Sequence, residues 1–372
     1  MGSRAVEPPR VVMVQTLIPD YRTPFFQALL AELDSELVLI SGVDDWSLDV
    51  MPAHDVPYVR ARNRYFARRQ LLWQSGVLGP ALQGHVTVLG LNPRILSSWL
   101  ALIVRRIRRR RTILWGHAWP RHGRASRTDV IRRIMRLLAD TMIVYTETEA
   151  KQLRAASNID VVAAPNALYR AEEIGPVISG EPTDFLFVGR LSPAKKPDLL
   201  LEAFRLAEPR LSHDVRLVFV GDGPLRESLE TRAQRAGLSD RVEFLGHISG
   251  TDDLRLAYGR AIASVSPGYV GLSLIQSLGY GVPMLIARDE PHAPEIEAVV
   301  EDENAILFRE DAPDELASLL ITTAERRELW LSRRSSIAGH IRSTYSVEKM
   351  VAAFVTGLRL DTVRDVRDGA SR

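Results

Sequence analysis

Residues 185–204 read FLFVGRLSPAKKPDLLLEAF, and the fold can be inferred outward from this stretch. Its first part is a short apolar run that ends at a glycine, and its last part has the apolar spacing of a helix. That order predicts a buried strand whose loop leads directly into a helix. Gly189 allows the backbone to approach a ligand. Arg190 and Lys195 follow beside the helix N-terminus, whose N–H groups attract anions, so we predict a bound diphosphate here.

The same design of strand, glycine turn and helix recurs twice further along the chain. Gly221 and Gly223 follow an apolar run in FVGDGPLRESL (219–229), and Gly246 follows another in EFLGHIS (243–249). In open α/β sheets, ligands bind at the carboxyl ends of the strands. Three such turns in succession therefore predict a nucleotide-type ligand.

Composition and periodicity predict two globular domains. The chain has 372 residues, of which 25% are charged, and it contains no cysteine, so disulfides and thiolate chemistry are excluded. In both halves, short apolar runs alternate with helix-like segments, which predicts an α/β protein of two doubly wound domains. The predicted bounds are 1–170 for the first domain, 171–184 for a linker, 185–345 for the second domain, and 346–372 for a C-terminal helix that packs back on the first domain, with a frayed tail.

From residue 185 to about residue 310 the sequence resembles the donor domain of retaining GT-B glycosyltransferases of family 4. The resemblance rests on GRLSPAKKPDLLLEAF, VFVGDGPLRESL, VEFLGHIS and GYGVP, which occur in the family's order, and it continues more weakly through the first half. It implies two Rossmann-like domains that face each other across a cleft. It also implies that Arg190 and Lys195 clamp the diphosphate of a UDP- or GDP-sugar. The backbone of Phe244, Leu245 and Gly246 would then hold the base.

The sequence departs from the family where two glutamates, separated by seven residues, normally precede Gly-x-Pro. Counting back from Gly281 places Gly268 at the first glutamate and Gln276 at the second. Since Gly268 has no side chain, we predict that a sugar hydroxyl is held by backbone N–H groups of the 268–273 turn or by another residue. Gln276 can still accept from a ribose hydroxyl, although without charge assistance. The residues of the turn that we predict to contact the donor, together with a carboxylate further on, are Gly271, Leu272, Ser273 and Glu295.

The resemblance assigns the acceptor side to the first half. His117, in the loop after 111–116, is the candidate for a functional histidine that contacts the transferred sugar, and His122 in the same loop competes with it. The first strand–helix loop contains Asp20, Tyr21 and Arg22. Here Arg22 is a candidate for a phosphate contact and Asp20 for a contact with an acceptor hydroxyl.

A concentration of arginines predicts a second kind of partner. Between residues 102 and 136 there are twelve arginines and one acid. Because Arg105–Arg111 adjoin an apolar segment, we predict contact with an anionic membrane surface, against the alternative of an exposed face without a partner. No RNA-binding pattern accompanies the block. The chain has no apolar run of about 18 residues and no signal-peptide pattern, so we expect a cytoplasmic protein, peripheral at the inner face of the plasma membrane.

The reaction that the resemblance implies is retaining glycosyl transfer to an acceptor hydroxyl in polysaccharide or glycolipid assembly. Pre-placed cations would stabilise the leaving diphosphate. No Asp-x-Asp pair or metal-ligand spacing is found, so we expect neither a metal nor another cofactor. Two alternatives stay open: a catalytically weak nucleotide-sugar-binding protein, and a sugar-nucleotide epimerase, against which the missing glutamate pair argues.

Overall fold

The computed structural model describes residues 11–46, 50–120, 129–248 and 250–358. The chain divides into two compact units, Met1–Leu168 with Val347–Arg372, and Tyr169–Ser346. The segment 171–184, predicted as a linker, therefore lies in the second unit. None of the described helices is long and apolar enough to cross a membrane.

The first unit is built on a seven-stranded parallel sheet with the order β3-β2-β1-β6-β7-β8-β9. Most of these strands are short β-branched runs, buried on both faces, as a parallel sheet between helix layers requires. An antiparallel hairpin of β4 and β5 stands apart from this sheet. The strands are β1 Val11–Gln15, β2 Leu37–Ser41, β3 Val59–Arg60, β4 Arg62–Phe66, β5 Leu71–Ser75, β6 Val86–Gly90, β7 Thr112–Trp115, β8 Thr141–Val144 and β9 Asp160–Ala163. Its helices up to residue 168 are α1 Thr23–Leu33, α2 Leu78–Gln83, α3 Leu96–Ile107, α4 Asp129–Leu138 and α5 Glu147–Ala156.

The second unit contains a six-stranded parallel sheet with the order β12-β11-β10-β13-β14-β15. Strand order reverses between β10 and β13, and this switch point is where ligands bind in open α/β sheets. The strands are β10 Asp184–Val188, β11 Arg216–Val220, β12 Val242–Gly246, β13 Ala261–Ser266, β14 Met284–Ala287 and β15 Ala305–Phe308. The helices are α6 Pro197–Ala207, α7 Arg226–Arg235, α8 Thr251–Gly259, α9 Leu272–Gly279, α10 Pro313–Glu325 and α11 Arg327–Thr344.

The last described helix, α12 (Val347–Leu358), packs on the core of the first unit. The ring of Phe354 meets that of Trp115 edge-on, with 4.7 Å between centroids. Arg111 donates to the carbonyl oxygens of Gly357 and Leu358, at 3.0 and 2.8 Å. A cation bonded to the last carbonyls of a helix satisfies acceptors that have no partner within the helix.

The predicted arginine surface is partly wrong. Arg105 is fully buried beneath α3. There its guanidinium donates to the carbonyl oxygens of Ala81 and Gly84, at 2.6 and 2.9 Å. Its burial lowers the pKa of Arg105 to about 10. Arg111 is likewise engaged by the end of α12. The arginines of this stretch that are exposed are Arg106, Arg108, Arg109 and Arg110.

Candidate functional site

The switch point of the second unit brings together the loops that follow β10 and β13. The β10 loop begins at Gly189, whose φ of +153° lies in the region that favours glycine. Arg190 follows and is exposed. A 3-10 turn, Pro193–Lys195, then leads to the start of α6. Both predicted diphosphate ligands, Arg190 and Lys195, are therefore on one loop at the switch point.

Lys195 is partly buried, and its ammonium group is directed at the neighbouring loop. Its Nζ donates to the carbonyl oxygen of Tyr269 at 2.7 Å and lies 4.9 Å from the centre of the Tyr269 ring. Burial lowers the pKa of Lys195 to about 8, and the carboxylate of Glu295, itself buried, opposes this shift. The next residue, Lys196, forms ion pairs with Glu290 and Asp311. Of the two adjacent lysines, Lys195 is therefore the one placed at the switch point.

Gly268 allows the two loops to touch along their backbones. The N–H of the next residue, Tyr269, donates to the Ala194 carbonyl oxygen at 2.9 Å. A Cβ at position 268 would lie 2.5 Å from that same oxygen and 2.8 Å from the carbonyl carbon of Lys195. A glutamate cannot occupy this position unless a loop moves. The glycine is thus part of the packing that holds Lys195.

The ring of His292 contacts the same turn, and the sequence did not predict this contact. Its Nδ1 accepts from the N–H of Val270 at 3.1 Å, and its Nε2 lies 2.7 Å from the Ala287 carbonyl oxygen at the end of β14. This pattern requires the neutral ring with its proton on Nε2. Burial is the largest cause that lowers the pKa of His292, and Lys195 adds to it.

Two of the backbone N–H groups in the 268–273 turn, which was predicted to hold the sugar, already have partners within the protein. The N–H groups of Tyr269 and Val270 are bound to Ala194 and His292 within the protein. Gly271 is the N-cap of α9, and Leu272 and Ser273 form its first turn, where N–H groups have no partner within the helix. The start of α9, rather than the whole 268–273 turn, is the part of this segment suited to an anion or hydroxyl.

Gln276 is engaged by tyrosines on both sides of its amide. Tyr258 donates its hydroxyl to Oε1 at 3.1 Å, and Nε2 donates to the Tyr169 hydroxyl at 2.8 Å. Tyr280 packs on both tyrosines, with its ring centroid 5.1 Å from that of Tyr258 and 5.4 Å from that of Tyr169. Burial raises the pKa of Tyr258 and of Tyr280. The structure gives Gln276 a packing role, and its contact with a ribose stays a prediction.

The loops after β11 and β12 complete this edge of the sheet. A side chain at Gly221 or Gly223 would overlap the backbone of Gly189 or Leu191, so both glycines are needed for these loops to pack together. The N–H of Gly221 also donates to the Gly246 carbonyl oxygen at 2.7 Å. Of the residues predicted to hold a base, Phe244 stacks on Phe219 with ring centroids 4.9 Å apart. Leu245 is 42% exposed, which leaves its surface available to a ligand.

A separate cluster in the first unit contains the residues predicted for the acceptor side. Arg22 is buried over the Trp115 ring, 4.6 Å from its centroid, and donates to the Tyr145 hydroxyl and to Asn166 Oδ1, both at 3.2 Å. His117 is half exposed; its ring centroid is 4.8 Å from that of Tyr145, and Nδ1 lies 3.7 Å from a carboxylate oxygen of Glu149. The two neighbours of Arg22 on the exposed part of this loop are Asp20 and Tyr21.

Two sequence predictions remain, the competing histidine His122 and the absence of a metal ion. His122 lies outside the described residues. Within the described residues, no group of three or more histidine or acidic side chains could hold a metal ion. Metal independence itself stays a prediction.

Comparison with known proteins assigns the second unit to a family. Residues 171–334 match the family model for glycosyl transferases group 1. The second unit is a group 1 glycosyl transferase domain. The switch-point loops, with Lys195, Gly268 and the start of α9, all lie within the matched region.

The curated relatives of this glycosyl transferase domain match the chain over only part of their own length. The D-inositol 3-phosphate glycosyltransferase of Salinispora tropica is 35% identical over 113 residues, 27% of this chain and 23% of that protein. The GDP-mannose-dependent alpha-(1-6)-phosphatidylinositol dimannoside mannosyltransferase of Mycobacterium tuberculosis is 29% identical over 193 residues, 50% of this chain and 48% of that protein. The matches therefore span less than half of each relative.

A solved structure extends the likeness in fold to both units of the chain. Alr3699/HepE of Anabaena, in complex with UDP and glucose, has a TM-score of 0.63 at 15% identity, covering 94% of this chain and 98% of that one. At this identity the likeness concerns fold alone. The prediction of two Rossmann-like doubly wound units of the GT-B class is confirmed. That the units face each other across a cleft stays a prediction.

Proposed function

We propose that the chain is a retaining glycosyltransferase that moves a sugar from a nucleoside diphosphate sugar to an acceptor hydroxyl. The observation that carries the proposal is the placement of Lys195, partly buried at the switch point of the second unit and hydrogen-bonded to the Tyr269 carbonyl oxygen. Arg190 on the same loop and the N-terminus of α9 add two further groups that attract a diphosphate.

The chemistry follows from how charge moves in the reaction. The bond between the anomeric carbon and the donor phosphate breaks, the acceptor oxygen bonds to that carbon, and the acceptor's proton passes to the departing phosphate oxygen. Negative charge grows on the diphosphate as the bond breaks, so fixed cations lower the barrier. With a pKa of about 8, Lys195 is mostly protonated at neutral pH. The proposed mechanism needs no metal ion.

The donor and acceptor classes are proposed from the comparisons and the sequence. One relative is named as GDP-mannose-dependent, and the Anabaena structure holds UDP, which supports a UDP- or GDP-sugar as donor. The named activities of both relatives concern inositol phosphates or phosphatidylinositol, which supports an acceptor in glycolipid or polysaccharide assembly. The cluster around His117 in the first unit is the proposed acceptor side, and the inner face of a membrane is the proposed location.

A nucleotide-binding assay with paired variants tests the proposal. UDP or GDP at about 100 times its Kd should stabilise the protein by about 2.7 kcal/mol in thermal unfolding. Replacing both cations, Arg190→Gln with Lys195→Gln, should weaken binding about hundredfold, because two charge-assisted bonds are lost. The matched control is Lys196→Gln, which removes a lysine that pairs with Glu290 and Asp311. Equal affinity in the double variant and the control contradicts the proposal.

A catalytically weak nucleotide-sugar-binding protein is the second candidate. It is favoured by Gly268, which supplies no carboxylate to the sugar, and by Gln276, whose amide is bonded to two tyrosines. Both candidates predict nucleotide binding, so turnover separates them. Release of UDP or GDP from the sugar nucleotide, with or without an acceptor, supports the transferase, and tight binding without release supports the binding protein.

A further inference from the structure

Helix α3 of the first unit exposes four large apolar side chains. They recur at intervals of four, three and four residues, which places them in one stripe along the helix. Their exposed fractions range from 38% to 76%. The residues of this stripe are Leu96, Leu100, Ile103 and Ile107.

Helix α4, which contacts α3, repeats this arrangement. It also exposes four large apolar side chains, between 46% and 66%, at the spacing of one helical face. They are Val130, Ile131, Ile134 and Leu137. We name these eight side chains on the two helices the α3–α4 apolar face.

The inner sides of both helices carry polar groups that the protein satisfies internally. Ser97, Ser98 and Arg105 are buried beneath α3. Arg136 is buried beneath α4, where it donates to the Asp129 carboxylate and to the Ala118 carbonyl oxygen. A helix on a water-exposed surface normally has the opposite pattern, with its polar side outward. Each helix thus exposes four large apolar side chains although polar residues occupy some of its inward positions.

Cations border this face. Arg106, Arg108, Arg109 and Arg110 are exposed at the C-terminal end of α3, and Arg133 is exposed on α4. The acids of this region are already paired, since Asp140 lies 3.5 Å from Arg106 and Asp129 is bound to Arg136. An apolar centre with a cationic border is complementary to a bilayer surface that carries negative charge, where arginines reach the headgroups and leucine and isoleucine enter the acyl boundary.

We propose that the α3–α4 apolar face seats the first unit on an anionic lipid bilayer. The proposal corrects the expectation from sequence, because Arg105 is buried, Arg111 is bonded to the end of α12, and α4 supplies half of the surface. It adds a docking surface to the proposed function. Because lipid binding is measured without a sugar nucleotide, its failure and the failure of the proposed function can be told apart.

Vesicle flotation of the full chain tests this surface. The protein should float with vesicles of phosphatidylcholine and phosphatidylglycerol, and far less with phosphatidylcholine alone. Ile134→Ser with Leu137→Ser should reduce the bound fraction about tenfold or more, since two apolar side chains no longer enter the lipid. Arg108→Gln with Arg133→Gln should weaken the preference for anionic lipid, because two of the five bordering cations are removed. The matched control is Leu256→Ser with Leu329→Ser, which changes two exposed leucines of the second unit.

Two further measurements keep the outcomes separate. Each variant should keep the unfolding temperature and the UDP or GDP affinity of the unaltered protein, because its substitutions are exposed and lie outside the switch point. Equal flotation of the serine variant and the control overturns the proposal, as does failure of the unaltered chain to float. A dimer in solution that Ile134→Ser with Leu137→Ser dissociates also overturns it, since the face would then bind a second copy.

Discussion

The backbone of Gly268 lies directly against that of Lys195, so that a Cβ on the glycine would come within 2.8 Å of the lysine's carbonyl carbon. The position at which the family resemblance implies an acidic side chain is thus occupied by a contact between two loops. Lys195 is held by this contact and by its bond to the Tyr269 carbonyl oxygen. The conformation of one loop therefore governs the position of the proposed diphosphate ligand on the other.

Gly268→Ala is expected to destabilise the protein and to weaken nucleotide binding together. The new methyl group cannot fit without moving the Ala194–Lys195 backbone, and overpacking of this kind costs about 1–3 kcal/mol. Thermal unfolding and UDP or GDP titration measure the two effects. Gly339→Ala in α11 is the control, because nothing lies within 4 Å of its added carbon and alanine favours a helix. Unchanged affinity in Gly268→Ala would show that the loop contact does not position Lys195.

Nucleotide affinity is expected to fall as the pH rises through about 8. Free Lys195 has its pKa lowered to about 8, and a bound diphosphate favours the charged form, so binding requires the proton that higher pH removes. Isothermal titration across this pH range measures the effect. Lys195→Arg should bind with little dependence on pH, since arginine stays protonated. Lys196→Arg should retain the decline, and a decline that persists in Lys195→Arg would assign it to another group.

His292→Leu is expected to lower the stability of the protein and to flatten part of the dependence of that stability on pH. The ring is favoured in its neutral form, with its pKa below the usual 6.5, so its contribution is present above that pH and is lost as the pH falls through the lowered value. Loss of the acceptor for the Val270 N–H costs about 1–3 kcal/mol. Unfolding temperatures between about pH 5 and 8 measure both effects. The control is His340→Leu, which changes an exposed histidine and should alter neither quantity. Equal pH profiles for the His292 variant and the unaltered protein contradict the prediction.

Gln276→Glu is expected to fold normally and to bind the nucleotide more tightly. The hydroxyls of Tyr258 and Tyr169 can both donate to a carboxylate, and a charged acceptor makes a hydrogen bond to ribose about twice as strong. Calorimetry with UDP and GDP measures the change. Gln276→Leu removes the acceptor and should weaken binding. Affinity that is indifferent to both substitutions would confine Gln276 to packing among the tyrosines.

Much of the fold could be predicted from local sequence, because the strands of both parallel sheets are short apolar runs. The strand predicted directly before Gly189 is found as β10, Asp184–Val188. The hairpin of β4 and β5 escaped prediction because β4 reads RNRYF and is largely exposed, so it lacks a buried run. Strand β3 is only two residues long.

The site could be predicted only where its chemistry lies on consecutive residues. The loop from Gly189 to Lys195 has its glycine and both cations within seven positions. His292 has its partner Val270 twenty-two residues earlier in the chain, so no local pattern connects them. Arg105 was misjudged because a run of arginines suggests an exposed surface, whereas the carbonyl groups that bury it come from a different helix and its loop.

The position of α12 has a consequence for biosynthesis. The chain leaves the first unit after Leu168 and returns to it at Val347, and Phe354 then packs on Trp115. During translation, every residue of the intervening unit emerges from the ribosome before this aromatic contact can form. Until α12 has been synthesised, the part of the first unit's core that this helix covers stays exposed. The inserted unit can complete its own folding during that time.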